Sequence, residues 1–114
     1  MSREPMIRRL GTEGDDACVV LRGDFQLSDS VLLQERLLRV VGEHHHRLVV
    51  DLSAVDSMTT SAAAALIVAR QHQQRQGGEV ILCGLHGQVR SLFEISRLDR
   101  FFQVTPDRRA ALES

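Results

Sequence analysis

With 114 residues, the chain has room for one domain that can bury a core without disulfide or metal staples. A formal net charge of −1, with 43% hydrophobic and 25% charged residues, gives no field that would draw nucleic acid, a membrane surface or acidic substrates. Trp and Tyr are absent and Phe occurs only four times, which removes the usual aromatic platforms for single strands and sugars.

In chain order, MSREPMIRRL lacks the apolar core of a signal peptide and no later run approaches a membrane span. Direct membrane insertion is therefore not expected, and a cytoplasmic location is the default. Ile7 to Thr12 alternate weakly, as an edge strand does, and a turn over Glu13–Asp16 leads into a second strand at Ala17–Leu21, ended by Gly23. The period then changes. Leu27, Val31, Leu37, Leu38 and Val41 recur at helical spacing; Ser28 or Asp29 can cap that helix and Gly42 can close it.

The run RLVVDLSAVDSMTTSAAAALIVARQHQQRQ carries the strongest local signals. Leu48, Val49 and Val50 are a continuous apolar stretch, the mark of a strand covered on both faces, and it should end near Leu52. Asp51, Ser53 and Asp56 supply turn chemistry. Thr59, Thr60 and Ser61 stand just before Ala62 to Ala65, where a hydroxyl oxygen can accept from the unpaired N–H groups of a helix's first turn. Four alanines in succession cannot all face inward on a 3.6-residue period, so Ala63 or Ala64 should be exposed.

Gly77-Gly78 stops this helix near Gln76, and Glu79 to Cys83 form a further buried strand ended by Gly84. Val89, Leu92, Phe93 and Ile95 give a short amphipathic helix, Leu98, Phe101, Phe102 and Val104 return apolar residues to the core, and Pro106 can start a final turn or helix over Arg108–Leu112. Strands alternating with helices after an N-terminal hairpin indicate one α/β domain over 1–114, with its core at about 6–105 and a tail at 106–114 that can fray. A mixed four- to five-stranded sheet is expected, with helices packed on it and the strand at Leu48–Leu52 parallel to the one at Val80–Cys83.

Enzyme chemistry finds little support. Cys18 and Cys83 lie in apolar strands and read as reduced core thiols. His44, His45 and His46 sit between a helix and a strand with no second ligand group at metal spacing, so they read as a solvated loop. The nucleophile elbow G-x-S-x-G is absent, and Gly77-Gly78 closes a helix instead of opening one around a phosphate. No catalytic residue, metal or cofactor is assigned.

The segments LRGDF, VVDLSAVDSMTTSAAAALI, GGEVILCG and LFEISRLDRFFQV resemble, in order and spacing, the STAS domains of bacterial anti-sigma-factor antagonists, over about Val19 to Val104. The resemblance implies a STAS fold and a non-enzymatic binding module in a partner-switching circuit. Such an antagonist binds a serine-kinase-type anti-sigma factor and is released when that kinase phosphorylates it, with a cognate phosphatase as the expected counterpart. Placed on the family pattern, Thr60 is the phospho-acceptor, flanked by Met58, Thr59, Ser61, Ala62 and Ala63 as partner contacts. Thr59 stands where the family has an Asp, Ala62 where it has a Gly, and Gln26 where it has the Asp of its upstream segment. Small STAS domains also serve as accessory subunits of lipid-transport ABC systems, where a Thr at this helix start contacts the ATPase; this is the alternative expectation.

Overall fold

The structure is a computed structural model that describes residues 3–11 and 14–113. Strand β1 (Met6–Arg9) runs antiparallel to β2 (Asp16–Phe25). A 3-10 turn at Leu27–Asp29 leads into α1 (Ser30–Val41), followed by β3 (Arg47–Met58) and α2 (Thr60–Arg75). Then come β4 (Glu79–Cys83), α3 (Gly87–Ile95), a second 3-10 turn at Leu98–Phe101, β5 (Gln103–Thr105) and α4 (Arg108–Glu113). The sheet has five strands in the order β1-β2-β3-β4-β5, and all neighbours except β1 and β2 are parallel. The expected mixed sheet, N-terminal hairpin and parallel pairing of β3 with β4 are thus present.

Alternation along the strands divides the interior in two. Ala17, Val19 and Leu21 of β2 and Leu48, Val50 and Leu52 of β3 join Leu33 and Leu37 of α1, Leu66 of α2 and Phe93 of α3 in the main core. Their neighbours Cys18, Val49, Ile81 and Cys83 form a smaller cluster with Ala111 of α4, flanked by Leu10 and Leu112. The core therefore reaches beyond residue 105: Ala111 is buried, and Asp107 Oδ1 accepts the Ala110 N–H at 2.8 Å to start α4.

Several expected boundaries move. β1 is shorter than Ile7–Thr12, ending at Arg9; Leu10 adds one bond from its N–H to the Cys18 carbonyl (2.9 Å). Gly14 and Asp15 occupy the expected turn, Thr12 and Glu13 lie outside the described residues, and Asp16 already belongs to β2. Gly23 does not end β2, which continues to Phe25. Neither Ser28 nor Asp29 caps α1 through its side chain; Asp29 Oδ2 instead takes the Gln26 N–H at 2.8 Å. Gly42 closes α1 in a right-handed conformation (φ −64°), and the left-handed step falls on His44 (φ 62°).

The largest difference lies in β3. Asp51, Ser53 and Asp56 were expected in a turn but lie inside a twelve-residue strand. β2 runs beside it as far as the pair Phe25 and Met58, with register shifts between Val20 and Arg22 and between Gly23 and Asp24 that absorb the irregularity. Turn propensity yields because local bonds are still met within the strand: Asp51 Oδ1 accepts both the Ser53 N–H (2.9 Å) and the Ser53 hydroxyl (2.7 Å). The extension carries β3 past the last residue it pairs with in β4 before α2 begins.

Candidate docking site at the start of α2

The site is built where β3 hands over to α2. Thr59 keeps an extended backbone (φ −84°, ψ 162°) and donates its N–H to the Phe25 carbonyl at 3.0 Å, so β2 fixes the handover. Its Oγ1 accepts the Ala62 N–H at 3.2 Å, and its carbonyl accepts the Ala63 N–H at 3.0 Å. The expected hydroxyl cap is therefore Thr59. With Thr59 engaged, Thr60 opens α2 and is exposed, as are Thr59 and Ser61.

The helix faces the sheet through Ala62, Ala65, Leu66, Ala69 and Gln73, a spacing of three and four residues that defines one stripe. Ala63 is also fully buried, and Ala64 is the exposed member of the run. This corrects the contact set. Met58 (2% exposed), Ala62 and Ala63 point into the core and offer no side chain to a partner, so the surface consists of Thr59, Thr60, Ser61 and Ala64. Small residues on the buried stripe let α2 approach the sheet closely.

One feature here leaves no sequence pattern, and a second runs against the apolar periodicity of Leu27 and Val31. The Gln88 side-chain amide, on the first turn of α3, grips the last strand residue: its Oε1 accepts the Met58 N–H at 2.8 Å and its Nε2 donates to the Met58 carbonyl at 3.1 Å. Beside the hydroxyls, the 3-10 turn that packs against α2 carries Leu27, and the first turn of α1 carries Val31; both are about two-thirds exposed (67% and 68%). Neutral hydroxyls and one alanine methyl are thus exposed on a helix that the Leu27 turn packs against.

Carboxylates near the handover are occupied. Asp24 accepts the Ser57 hydroxyl at 2.6 Å and the Arg3 N–H at 2.6 Å, and these bonds, Ser57 first, hold its carboxyl below the usual range. Arg3 also pairs with Asp56 at 3.2 Å. Gln26, where the resemblance puts an Asp, is exposed at the start of the 3-10 turn.

The other candidates lie elsewhere. The histidine run occupies the loop before β3, at the opposite end of that strand, where His45 Nε2 lies 2.9 Å from Glu43 Oε1. Cys18 and Cys83 are buried free thiols on the α4 side of the sheet. A cavity of about 700 Å³ opens on that side too, lined by Leu10, Cys18, Arg108 and Leu112, and includes no residue of the hydroxyl triplet. Among the described residues no cluster of His, Cys, Asp and Glu could hold a metal ion, and no helix is long and apolar enough to cross a membrane.

The model of the STAS domain family matches residues 9–111. The chain belongs to the STAS-domain family. No sequence among curated proteins matches it. Among solved structures, this STAS domain is similar to an anti-sigma factor antagonist from Mycobacterium paratuberculosis (TM-score 0.83, 21% identity, covering 95% of this chain and 92% of that one). It is also similar to a variant of RsbS from Moorella thermoacetica (TM-score 0.76, 20% identity, 94% and 92% covered). The Bacillus cell fate determinant SpoIIAA in its phosphorylated form matches at a TM-score of 0.72 with 11% identity, over 95% of this chain and 97% of that one. These likenesses establish the fold, and within this STAS domain the exposed start of α2 is the candidate docking site.

Proposed function

We propose that this STAS domain is a non-enzymatic anti-sigma-factor antagonist. It binds a serine-kinase-type anti-sigma factor through the start of α2 and so frees the sigma factor; phosphorylation of Thr60 by the same kinase ends the complex, and a phosphatase restores it. The observation that carries this reading is the exposure of Thr59, Thr60 and Ser61 together at the N-terminus of a long helix. Two proteins of the same fold support it, one described as an anti-sigma factor antagonist and one solved in a phosphorylated form.

The physics of the switch needs no large movement. A phosphate on Thr60 adds about −1.5 to −2 charges at pH 7. Within this domain it faces the positive end of α2, whose free N–H groups favour an anion, so the fold tolerates it. A partner surface fitted to neutral hydroxyls and exposed Leu27 and Val31 does not. Burying the charge there without a cation costs several kcal/mol, and a loss of about 4 kcal/mol weakens binding roughly a thousandfold.

Calorimetric titration with serine-kinase-type anti-sigma factors of the same organism tests the reading. Wild type forms a one-to-one complex, Thr60→Glu loses it, and His45→Ala, at the far end of β3, keeps it. A wild-type chain that binds no such protein contradicts the proposal.

A further inference from the structure

We infer that Gln88 is the positioning residue of the α2 docking surface, holding the hydroxyl triplet in place from a different helix. The inference rests on the docking role proposed above. Its ground is the way β3 outruns its neighbour. The β3–β4 ladder ends at the pair Asp51 and Cys83, whereas the β2–β3 ladder continues to Phe25 and Met58. Over its last seven residues β3 thus has a strand on the β2 side alone.

Backbone groups of successive strand residues point to opposite sides. The Thr59 N–H points to β2, where the Phe25 carbonyl takes it. The N–H and carbonyl of Met58 point the other way, and both go to the Gln88 amide, at 2.8 and 3.1 Å. One primary amide carries a donor and an acceptor at the spacing that a neighbouring strand would present, so Gln88 stands in for the missing strand residue. The handover into the triplet is then held from both sides, Thr59 by β2 and Met58 by Gln88.

The chain between β4 and α3 is shaped to deliver that amide. Gly84, left-handed at φ 75°, passes so close to β3 that a Cβ there would lie 2.7 Å from the Ser53 Cβ. Val89 and Phe93, both fully buried, seat α3 in the core, while Gln88 itself is exposed. Its truncation therefore removes two directed bonds and little packing. The expected consequence is a looser start to α2 within an intact fold, which lowers affinity because the partner must then order the triplet.

The test compares wild type with Gln88→Ala, which lacks both groups, and Gln88→Glu, which at neutral pH keeps the acceptor and lacks the donor. Ile81→Val, in the core cluster on the other face, serves as the control for lost stability. Both Gln88 variants keep a thermal midpoint close to wild type, shift the backbone amide resonances of Met58 to Ser61, speed hydrogen exchange at Met58, and weaken binding of the anti-sigma factor by roughly tenfold. Ile81→Val lowers the midpoint and leaves those resonances and the affinity unchanged. Wild-type resonances and exchange in Gln88→Ala overturn the inference, as does unaltered affinity with a bound partner. If wild type binds no anti-sigma factor, the docking role fails on its own, and the resonances of the Gln88 variants still decide whether this residue holds the triplet.

Discussion

Arg108 Nε stands 3.1 Å from Asp51 Oδ2, so the C-terminal helix is tied to the middle of the central strand. The two partners are unequally placed: the Asp51 side chain is 9% exposed, the Arg108 side chain 47%. Asp51 also accepts both Ser53 groups through its other oxygen. Removing Asp51 therefore leaves part-buried donors unpaired, whereas removing Arg108 breaks an ion pair that water already screens. Urea unfolding should give a loss of about 2–4 kcal/mol for Asp51→Ala and under about 1 kcal/mol for Arg108→Ala. Equal losses would mean that the ion pair, and not the bonds to Ser53, is what Asp51 contributes.

The start of α2 sets a capping hydroxyl, Thr59, beside the proposed acceptor, Thr60. Thr59→Ala removes the cap to Ala62 and should cost about 1 kcal/mol in denaturant unfolding. Thr60→Glu places a negative charge at the positive end of α2 and should leave stability unchanged or raise it by about 0.3–1 kcal/mol. A destabilised Thr60→Glu protein would show that the domain itself rejects charge there, which would remove the basis for a switch acting on the partner alone.

Gln73 is fully buried on α2 and donates from Nε2 to the carbonyls of His45 (2.6 Å) and His46 (3.3 Å), which fixes the loop before β3. Gln73→Leu keeps the size and deprives those carbonyls of their donor, at a cost of about 1–3 kcal/mol. Gln73→Glu turns a carboxylate toward the same oxygens and should cost more at neutral pH. Differential scanning calorimetry should rank wild type above Gln73→Leu and Gln73→Leu above Gln73→Glu.

The two thiols give a pH signature. Burial pushes the Cys83 thiol up to about 12 and raises that of Cys18. Above the ordinary thiol value of 9.0 the unfolded chain releases protons that the folded chain still holds, so stability falls as pH rises from 9 toward 12. The chain has no Tyr, and all 14 of its basic residues counted with Lys are Arg, so no other side chain titrates in that window. Chemical unfolding at pH 8 and pH 10.5 should show the loss, and Cys83→Ala, less stable at pH 8, should show a smaller one. Thiol reagents at pH 8 should leave Cys83, which is fully buried, unlabelled until the chain is unfolded.

Periodicity reached most of this architecture, because apolar runs such as Val80–Cys83 and the alanine stripe of α2 obey a single local rule. It also required that one alanine of Ala62–Ala65 face solvent, and Ala64 does. What it could not reach were facts settled by distant partners. Asp51, Ser53 and Asp56 look like a turn until β2 lies alongside them as far as Phe25. Ala62, Ala63 and Met58 look like contacts when only the family motif is considered, and lose that role once the helix is seated on the sheet. The Gln88 grip joins residues 30 positions apart and has no periodic trace at all.

Control of the complex by a phosphate on Thr60 can be followed in a single reaction. The chain is incubated with the serine-kinase-type anti-sigma factors of the same organism, with and without ATP, and both the complex and the site of modification are read by mass spectrometry. The expected outcome is a complex without ATP, addition of one phosphate to Thr60 and dissociation with ATP, and a persistent complex for Thr60→Ala under both conditions. Absence of a complex, or dissociation of the wild-type complex with Thr60 unmodified, would contradict it.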